Sequence, residues 1–333
     1  MRNARLKRRL VQFGGADLLR KINKNPRVIF WHGVEYVSET PSLHIAPDVF
    51  EEEIYFLNKH YEIISIEEYE DRFRRDGFSG REIVLTFDDG YRNNLTVAAP
   101  ILKSLNLPFT VFVSTFHIES GQFFPTAIVR MIVLDSVISY ICLRSIGLEV
   151  HLHDRVQRSM VCDKIISVLK HSSVKMVNAI CQELLAHVSE EELSRLSSMH
   201  QADRPMTWDD VQKLHDEYSC TIGSHCVDHF ICNEYQDEKE VERQLKESKR
   251  LIEEKTAASC DYLAYPNGVY KAGDVTPFAM QMVKQAGYKL AFTTVTDRLR
   301  RNSNPYLMPR CAARFEMDDF IMKLVLKPKL SWK

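Results

Sequence analysis

Residues 82–94 read E-I-V-L-T-F-D-D-G-Y-R-N-N, and this stretch decides the predicted fold. Its apolar, β-branched run predicts a buried strand, which ends at two adjacent aspartates, Asp88 and Asp89, followed by Gly90. Folds built from parallel strands place their chemistry at that end of a strand. Neighbouring side chains on a strand point in opposite directions, so one carboxylate can bind a metal while the other transfers protons. By itself, the D-D-G sequence also fits a solvated turn with no function.

Strand and helix patterns alternate on both sides of this stretch. The predicted strands are residues 27–31, 63–64, 109–113, 220–223, 260–265 and 290–295, and a last ordered segment spans 306–314. Predicted helices separate them at 47–60, 66–73, 97–105, 207–214, 237–255 and 278–286. This alternation predicts an α/β protein with βα units around a parallel sheet or barrel.

The alternation is interrupted between residues 122 and 205. From about residue 125 to 199 the pattern is helical, and the apolar stretch 126–150 contains charged residues that suit an amphipathic helix better than a membrane span. We interpret residues 122–205 as a helical insertion between two halves of one barrel, residues 26–121 and 206–325, with a tail at 326–333. The insertion could cap the active site, mediate oligomerisation or rest on a membrane.

Bulk composition is that of an ordinary globular protein, with 45% hydrophobic residues, 27% charged residues and a net charge of −1. Nothing in it favours nucleic acid as a partner. Residues 1–25 are basic with apolar residues interleaved, which predicts a helix that packs on the domain or contacts an anionic membrane surface. A secretory signal pattern is absent and the eight cysteines form no C-x-x-C pair. We therefore expect a cytoplasmic location. A cytoplasmic protein that contacts the inner face of the membrane peripherally also fits these observations.

Two histidines follow the predicted strand at 220–223. His225 and His229 are four positions apart, so on a helical turn both rings lie on one face and can share a cation. Two unrelated loop histidines would show the same spacing, but Asp88 and Asp89 end another strand of the same predicted sheet. Two histidines and one carboxylate leave positions open for water and substrate, as a catalytic zinc site requires. His32 follows the first strand and either makes a structural hydrogen bond or faces the same site.

Four motifs in order along the chain resemble the polysaccharide deacetylase family. They are T-F-D-D-G at 86–90, M-T-W-D-D at 206–210, I-G-S-H-C-V-D-H at 222–229 and L-A-Y-P-N-G at 263–268. The resemblance covers about residues 27–121 and 206–314 and leaves the insertion unmatched. It implies a distorted (β/α) barrel and metal-dependent removal of N-acetyl or O-acetyl groups from sugars. The F-W-H-G sequence at 30–33 resembles the branch that acts on exopolysaccharides such as poly-N-acetylglucosamine.

The resemblance also implies roles for individual residues. Asp88 takes the position of the catalytic base, and Asp89, His225 and His229 take those of the metal ligands. The implied cofactor is a divalent metal, with zinc favoured, although this ligand set accepts several ions. The loop that forms part of the acetyl pocket, where a backbone N–H can stabilise the oxyanion, corresponds to Tyr265, Pro266 and Asn267.

The chain departs from the family pattern at three positions. Many members have an arginine in the loop matched by residues 264–266; none is present here, and Arg310 is the candidate for that charge. Many members use a late histidine as general acid, but no histidine follows His229, so His32 is the substitute. The first and last strands of a closed barrel are neighbours, which makes that substitution sterically reasonable. Asn267 stands where an aromatic residue is frequent and is expected to alter the sugar subsite.

The sequence thus predicts a metal-dependent hydrolase that removes an acetyl group, with the N-acetyl group favoured, from an acetylated saccharide. Substrates used in cell-envelope polysaccharide or glycolipid synthesis fit this prediction. Three alternatives stay open: a hydrolase of a small or cyclic amide on the same fold, a non-catalytic saccharide-binding protein, and an iron oxygenase with a facial triad of ligands.

Overall fold

The computed structural model describes residues 19, 21, 24–36, 43–313 and 316–326. The basic helix predicted for residues 1–25 and the tail predicted for 326–333 lie almost entirely outside these residues.

Eight parallel strands form the main sheet. They are β1 Arg27–Trp31, β4 Glu62–Ile63, β5 Glu82–Phe87, β6 Phe109–Val113, β9 Cys220–Ser224, β10 Tyr262–Ala264, β11 Leu290–Phe292 and β12 Cys311–Ala312. The order is β11-β10-β9-β6-β5-β1-β12, and β4 pairs with β5. Two small pairs lie outside this sheet: β2 Gly33–Val34 with β3 His44–Ile45, and β7 Tyr140–Leu143 with β8 Leu148–His151.

The two ends of the sheet are joined by residues 308–312. Met308 pairs with Phe292 at the end of β11, while Cys311 and Ala312 pair with β1. Because this one segment contacts both the last and the first strand, the sheet curls into the distorted (β/α) barrel that the sequence predicted.

Helices of the barrel pack around the sheet, and α5–α8 belong to the insertion. Their bounds are α1 Pro47–His60, α2 Ile66–Arg75, α3 Ala99–Ser104, α4 Thr115–Ser120, α5 Pro125–Asp135, α6 Arg155–Lys170, α7 Val174–Leu185, α8 Glu190–Met199, α9 Trp208–Glu217, α10 Glu238–Thr256, α11 Pro277–Gln285 and α12 Met317–Val325. The predicted start of α9 is confirmed, because Thr207 and Asp210 form a reciprocal capping box. Helix α12 was not predicted; it buries Phe320 and Leu324 in the main core.

The insertion is not wholly helical. The single helix predicted for 126–150 is wrong, because α5 ends at Asp135 and the antiparallel β7–β8 hairpin follows. Residues 140–143 alternate between half-buried and buried, which is a strand period, and Gly147 supplies a positive φ of 61° between the strands. The insertion also has its own apolar core, which includes Ile132, Ile165 and Leu184.

A buried ion-pair network ties the insertion to the barrel. His44 of the barrel approaches Asp203 at 2.9 Å, and His200 contacts Asp203 at 3.3 Å and Asp135 at 3.1 Å. Arg130 of α5 lies 3.6 Å from Asp203. The junction between the insertion and the barrel thus contains one buried cluster of ionisable side chains.

This network predicts a pH-dependent stability. Burial alone would lower the pKa of His200, but the carboxylates of Asp135 and Asp203 outweigh it and raise the pKa from 6.5 to about 8. The stabilising contribution is therefore complete below about pH 6.5 and is lost as the pH rises to about 8. We expect the free energy of unfolding, measured with urea, to fall over this range, and we expect His200→Gln to remove that component. An equal fall in the variant would contradict the assignment.

Candidate active site

Asp88, at the end of β5, forms a buried ion pair with Arg310. The guanidinium donates one hydrogen bond of 2.7 Å to each carboxylate oxygen of Asp88. Its Nε donates to the carbonyl of Thr293, and its charge lies over the rings of Phe30 and Phe112, 4.5 and 5.6 Å from their centroids. Arg310 is 1% exposed and Asp88 is 2% exposed. The structure thus brings Arg310 to Asp88 with both side chains held rigidly.

The ion pair sets the protonation state of Asp88. Burial alone would raise the pKa of this carboxyl, but the charges of Arg310 and His225 outweigh it, and the pKa lies below the ordinary value of 3.8. Asp88 is therefore an ionised proton acceptor at neutral pH.

Asp89, His225 and His229 direct one ligand atom each at a common point. The Nε2 atoms of His225 and His229 lie 3.3 and 3.2 Å from Oδ1 of Asp89. Two atoms bound to one zinc ion at tetrahedral angles lie about 3.3 Å apart. Within the described residues, this buried Oδ1 has no hydrogen-bond donor of acceptable geometry. A buried carboxylate oxygen that accepts no hydrogen bond and faces two imidazole nitrogens is the arrangement expected of a binding site for a divalent metal ion.

Backbone geometry and a further contact hold the three ligands in place. The carbonyl of Ala264 accepts a 2.7 Å hydrogen bond from Nδ1 of His225, which orients the ring so that Nε2 faces Oδ1 of Asp89. Asp89 and His229 have positive φ angles of 73° and 50°. Such strained backbone is typical of functional sites. Burial alone would raise the pKa of Asp89, but the imidazoles of His229 and His225 outweigh it and hold the pKa well below 3.8.

His32 lines the same cavity as Asp88 and the three candidate ligands. Burial lowers the pKa of its imidazole, and the nearby charges of Asp89 and Asp88 offset this only in part. Its ring packs edge-on against Phe30. No described residue hydrogen-bonds to the His32 ring, so the structural role considered from the sequence has no partner in this part of the chain.

In the predicted acetyl-pocket loop, one residue is buried in the core and another lines the cavity. Tyr265 is fully buried, and its hydroxyl donates to the carbonyl of Tyr306. Of the three predicted residues, only Asn267 lines the cavity, and Tyr265 and Pro266 do not. Asn267 has a φ of 60°, and its side chain donates to Asp274. The described residues offer no acceptor to its backbone N–H.

The cavity has a volume of about 420 Å³ and lies between the barrel and the insertion. The barrel supplies the charged groups, and α5, α6 and α7 supply much of the opposite wall, including Phe124, Ile166 and Leu169. The sequence analysis did not predict these wall residues. Their apolar spacing is also that of an ordinary helix core. No local sequence signal distinguishes an apolar residue that packs in a core from one that lines a cavity.

A barrel with an ionised carboxylate beside a His-His-Asp cluster defines a class of hydrolytic enzymes. A family model of the polysaccharide deacetylases matches residues 75–138 and 153–291. This match covers more than half of the chain, so the chain belongs to the polysaccharide deacetylase family and is a carbohydrate deacetylase. Contrary to expectation, the match runs through most of the insertion, within which it omits only residues 139–152 that contain the β7–β8 hairpin.

Solved structures share the fold. The Streptococcus pyogenes deacetylase PplD, in complex with acetate, is 15% identical over 91% of this chain and 98% of its own, with a TM-score of 0.60. IcaB from Ammonifex degensii is 16% identical over 91% and 97%, with a TM-score of 0.59. The deacetylase domain of BpsB from Bordetella bronchiseptica is 17% identical over 87% and 96%, with a TM-score of 0.51. A search of curated proteins finds no match.

Proposed function

We propose that the chain hydrolyses the acetamide of an N-acetylated saccharide and that Asp89, His225 and His229 hold a zinc ion for this reaction. The proposal is supported by one arrangement above all: the Asp88–Arg310 ion pair and the three candidate ligands face a single cavity. A bound divalent ion would polarise the acyl oxygen and lower the pKa of water. A saccharide-binding protein would need neither the orphaned carboxylate oxygen nor the ionised base.

The protein's own groups have distinct roles in this proposal. Asp88 accepts a proton from the attacking water, whose oxygen forms a bond to the acyl carbon. The backbone N–H of Asn267 donates to the oxyanion. The carbon–nitrogen bond then breaks, the nitrogen gains a proton, and acetate and a free amine leave. The lowered pKa of His32 keeps it neutral beforehand, so it accepts the proton that Asp88 took from water and delivers it to this nitrogen.

The test of this function is acetate release from N-acetylglucosamine oligomers and from nucleotide-linked N-acetyl sugars. It is run with zinc, with cobalt and after chelation, and bound metal is measured in each sample. We expect chelation to abolish acetate release and added zinc to restore it. Metal binding without acetate release would favour a hydrolase of a small amide. The absence of both bound metal and acetate release would favour a saccharide-binding protein.

His32→Gln tests the proposed proton donor. General acid catalysis contributes about 10²–10⁴-fold, so we expect a loss of kcat in that range with KM little changed. Substrates whose leaving groups need no protonation should lose much less kcat. If the role of His32 were purely structural, both kinds of substrate would lose kcat equally. Equal losses on amide substrates and on activated ester substrates would remove His32 from the mechanism.

The surroundings of the enzyme stay predictions from the sequence. No helix among the described residues is both long and apolar enough to cross a bilayer. The cytoplasmic location and the peripheral membrane contact rest on residues 1–25, nearly all of which lie outside the described part.

A further inference from the structure

Helices α6 and α7 place an aliphatic wall opposite the charged half of the cavity. The wall consists of Ile166, Leu169, Val174 and Val177. Lys170 and Asn178 of the same helices also line the cavity and are exposed, so the less exposed lining residues of α6 and α7 are all aliphatic. A sugar ring carries hydroxyl groups on most of its carbons, and burying them against aliphatic groups would leave their hydrogen bonds unmade. The wall therefore suits an apolar part of the substrate.

This wall is fixed relative to the candidate metal ligands. The turn between α6 and α7 is bound to the loop that follows the two histidines by three hydrogen bonds. Asn233 donates to the carbonyl of Lys170 at 2.9 Å, and Gln236 donates to the carbonyl of Ser172 at 3.1 Å. The side-chain oxygen of Gln236 accepts from the N–H of Val174 at 3.2 Å. The barrel thus positions the wall residue Val174 directly.

Two further apolar residues of the cavity lining reach the solvent. Leu43 and Val269 both line the cavity, and they are 39% and 36% exposed. Exposed apolar side chains beside a cavity are typical of a surface that binds an apolar ligand. A chain longer than the cavity would therefore meet apolar side chains at the exposed part of the lining.

We propose that the preferred substrate is a saccharide carrying an aliphatic chain, which lies against the wall while the amide reaches Asp88 and the metal ligands. This proposal rests on the amide hydrolysis proposed above. The chain is attached at the anomeric carbon, as in a glycolipid, and its methylene groups contact Ile166, Leu169, Val174 and Val177.

The test compares three substrates of the zinc-loaded full chain through release of the free amine. They are the methyl glycoside of N-acetylglucosamine, its octyl glycoside, and the methyl glycoside of N-octanoylglucosamine. We expect kcat/KM to be at least about tenfold higher for the octyl glycoside than for the methyl glycoside of N-acetylglucosamine. A preference for the octanoyl amide would overturn both the glycolipid chain and the acetamide as the scissile group. Values within about twofold for all three would overturn the inference and leave the proposed function intact.

A binding measurement separates this inference from the proposed hydrolysis. Octyl glucoside has no amide, and below its micelle-forming concentration it should bind at least about tenfold more tightly than methyl glucoside in calorimetry. Selective binding without amine release from any substrate would reject the hydrolysis and retain the apolar subsite. Equal binding would reject the subsite.

Two wall variants and a matched control test the residues. Ile166→Ser and Val177→Ser should each lower the octyl-to-methyl ratio of kcat/KM several-fold, because each removes apolar contact with the chain. The ratio is independent of the fraction of folded enzyme, so loss of stability does not imitate the effect. Met160→Ser changes a residue of the same helix α6 that is 68% exposed and should leave the ratio unchanged. An unchanged ratio in both wall variants would overturn the proposal.

Discussion

Asp88→Asn is expected to lower the rate of acetate release by about 10²–10⁴-fold while bound metal stays at the level of the unmodified chain. An asparagine cannot accept the proton that the ionised carboxylate takes from water. It keeps the shape of the side chain, and Oδ1 of Asp89 and the two imidazoles are unchanged. The measurements are steady-state acetate release and metal content by elemental analysis.

A matched control separates this effect from a general loss of charge. Asp216→Asn removes a carboxylate on the exposed side of α9 and should leave both turnover and metal content unchanged. Turnover retained by Asp88→Asn would exclude Asp88 as the base. Loss of metal together with turnover would instead make Asp88 a metal ligand.

Arg310→Met is expected to reduce the free energy of unfolding by about 3–5 kcal/mol, because it leaves the Asp88 carboxylate buried without its partner. The variant should also change the pH profile of kcat/KM. With Arg310 present, the pKa of Asp88 lies below 3.8; without it, burial raises the pKa. The base then becomes protonated at a higher pH, so the acidic limb of the profile moves upward. Urea unfolding and the pH profile measure the two effects.

Arg310→Lys serves as the comparison. Lysine keeps the positive charge but cannot form two parallel hydrogen bonds to one carboxylate, so both effects should be intermediate. An acidic limb at the same pH in the unmodified chain and in both variants would show that Arg310 does not set the pKa of Asp88.

Local pattern was sufficient to place four of the candidate site residues. Asp88 and Asp89 follow an apolar run, and His225 and His229 follow another, so each pair could be placed at the end of a strand from sequence spacing alone. The same reasoning placed the barrel strands, because buried parallel strands are short apolar runs. It failed for the β7–β8 hairpin, whose apolar residues also fit a helical period over a longer window.

The rest of the site depends on contacts between distant parts of the chain. Arg310 meets Asp88 across 222 sequence positions, and no local spacing encodes that encounter. The aliphatic wall is held beside the cavity by long-range contacts such as those of Asn233 and Gln236 with the α6–α7 turn. Apolar residues such as Ile166 look the same in the sequence whether they face a helix core or a ligand.

Residues 308–312, which connect the two ends of the sheet, also bring Arg310 to the carboxylate of Asp88. A chain in which this segment has not docked therefore has an open sheet and an Asp88 without its counter-charge. In that state the carboxylate would lack the two hydrogen bonds that fix its orientation beside the three candidate ligands. Closure of the barrel and positioning of the proposed base thus depend on the same few residues. Acetate release is therefore expected to report on the docking of this segment.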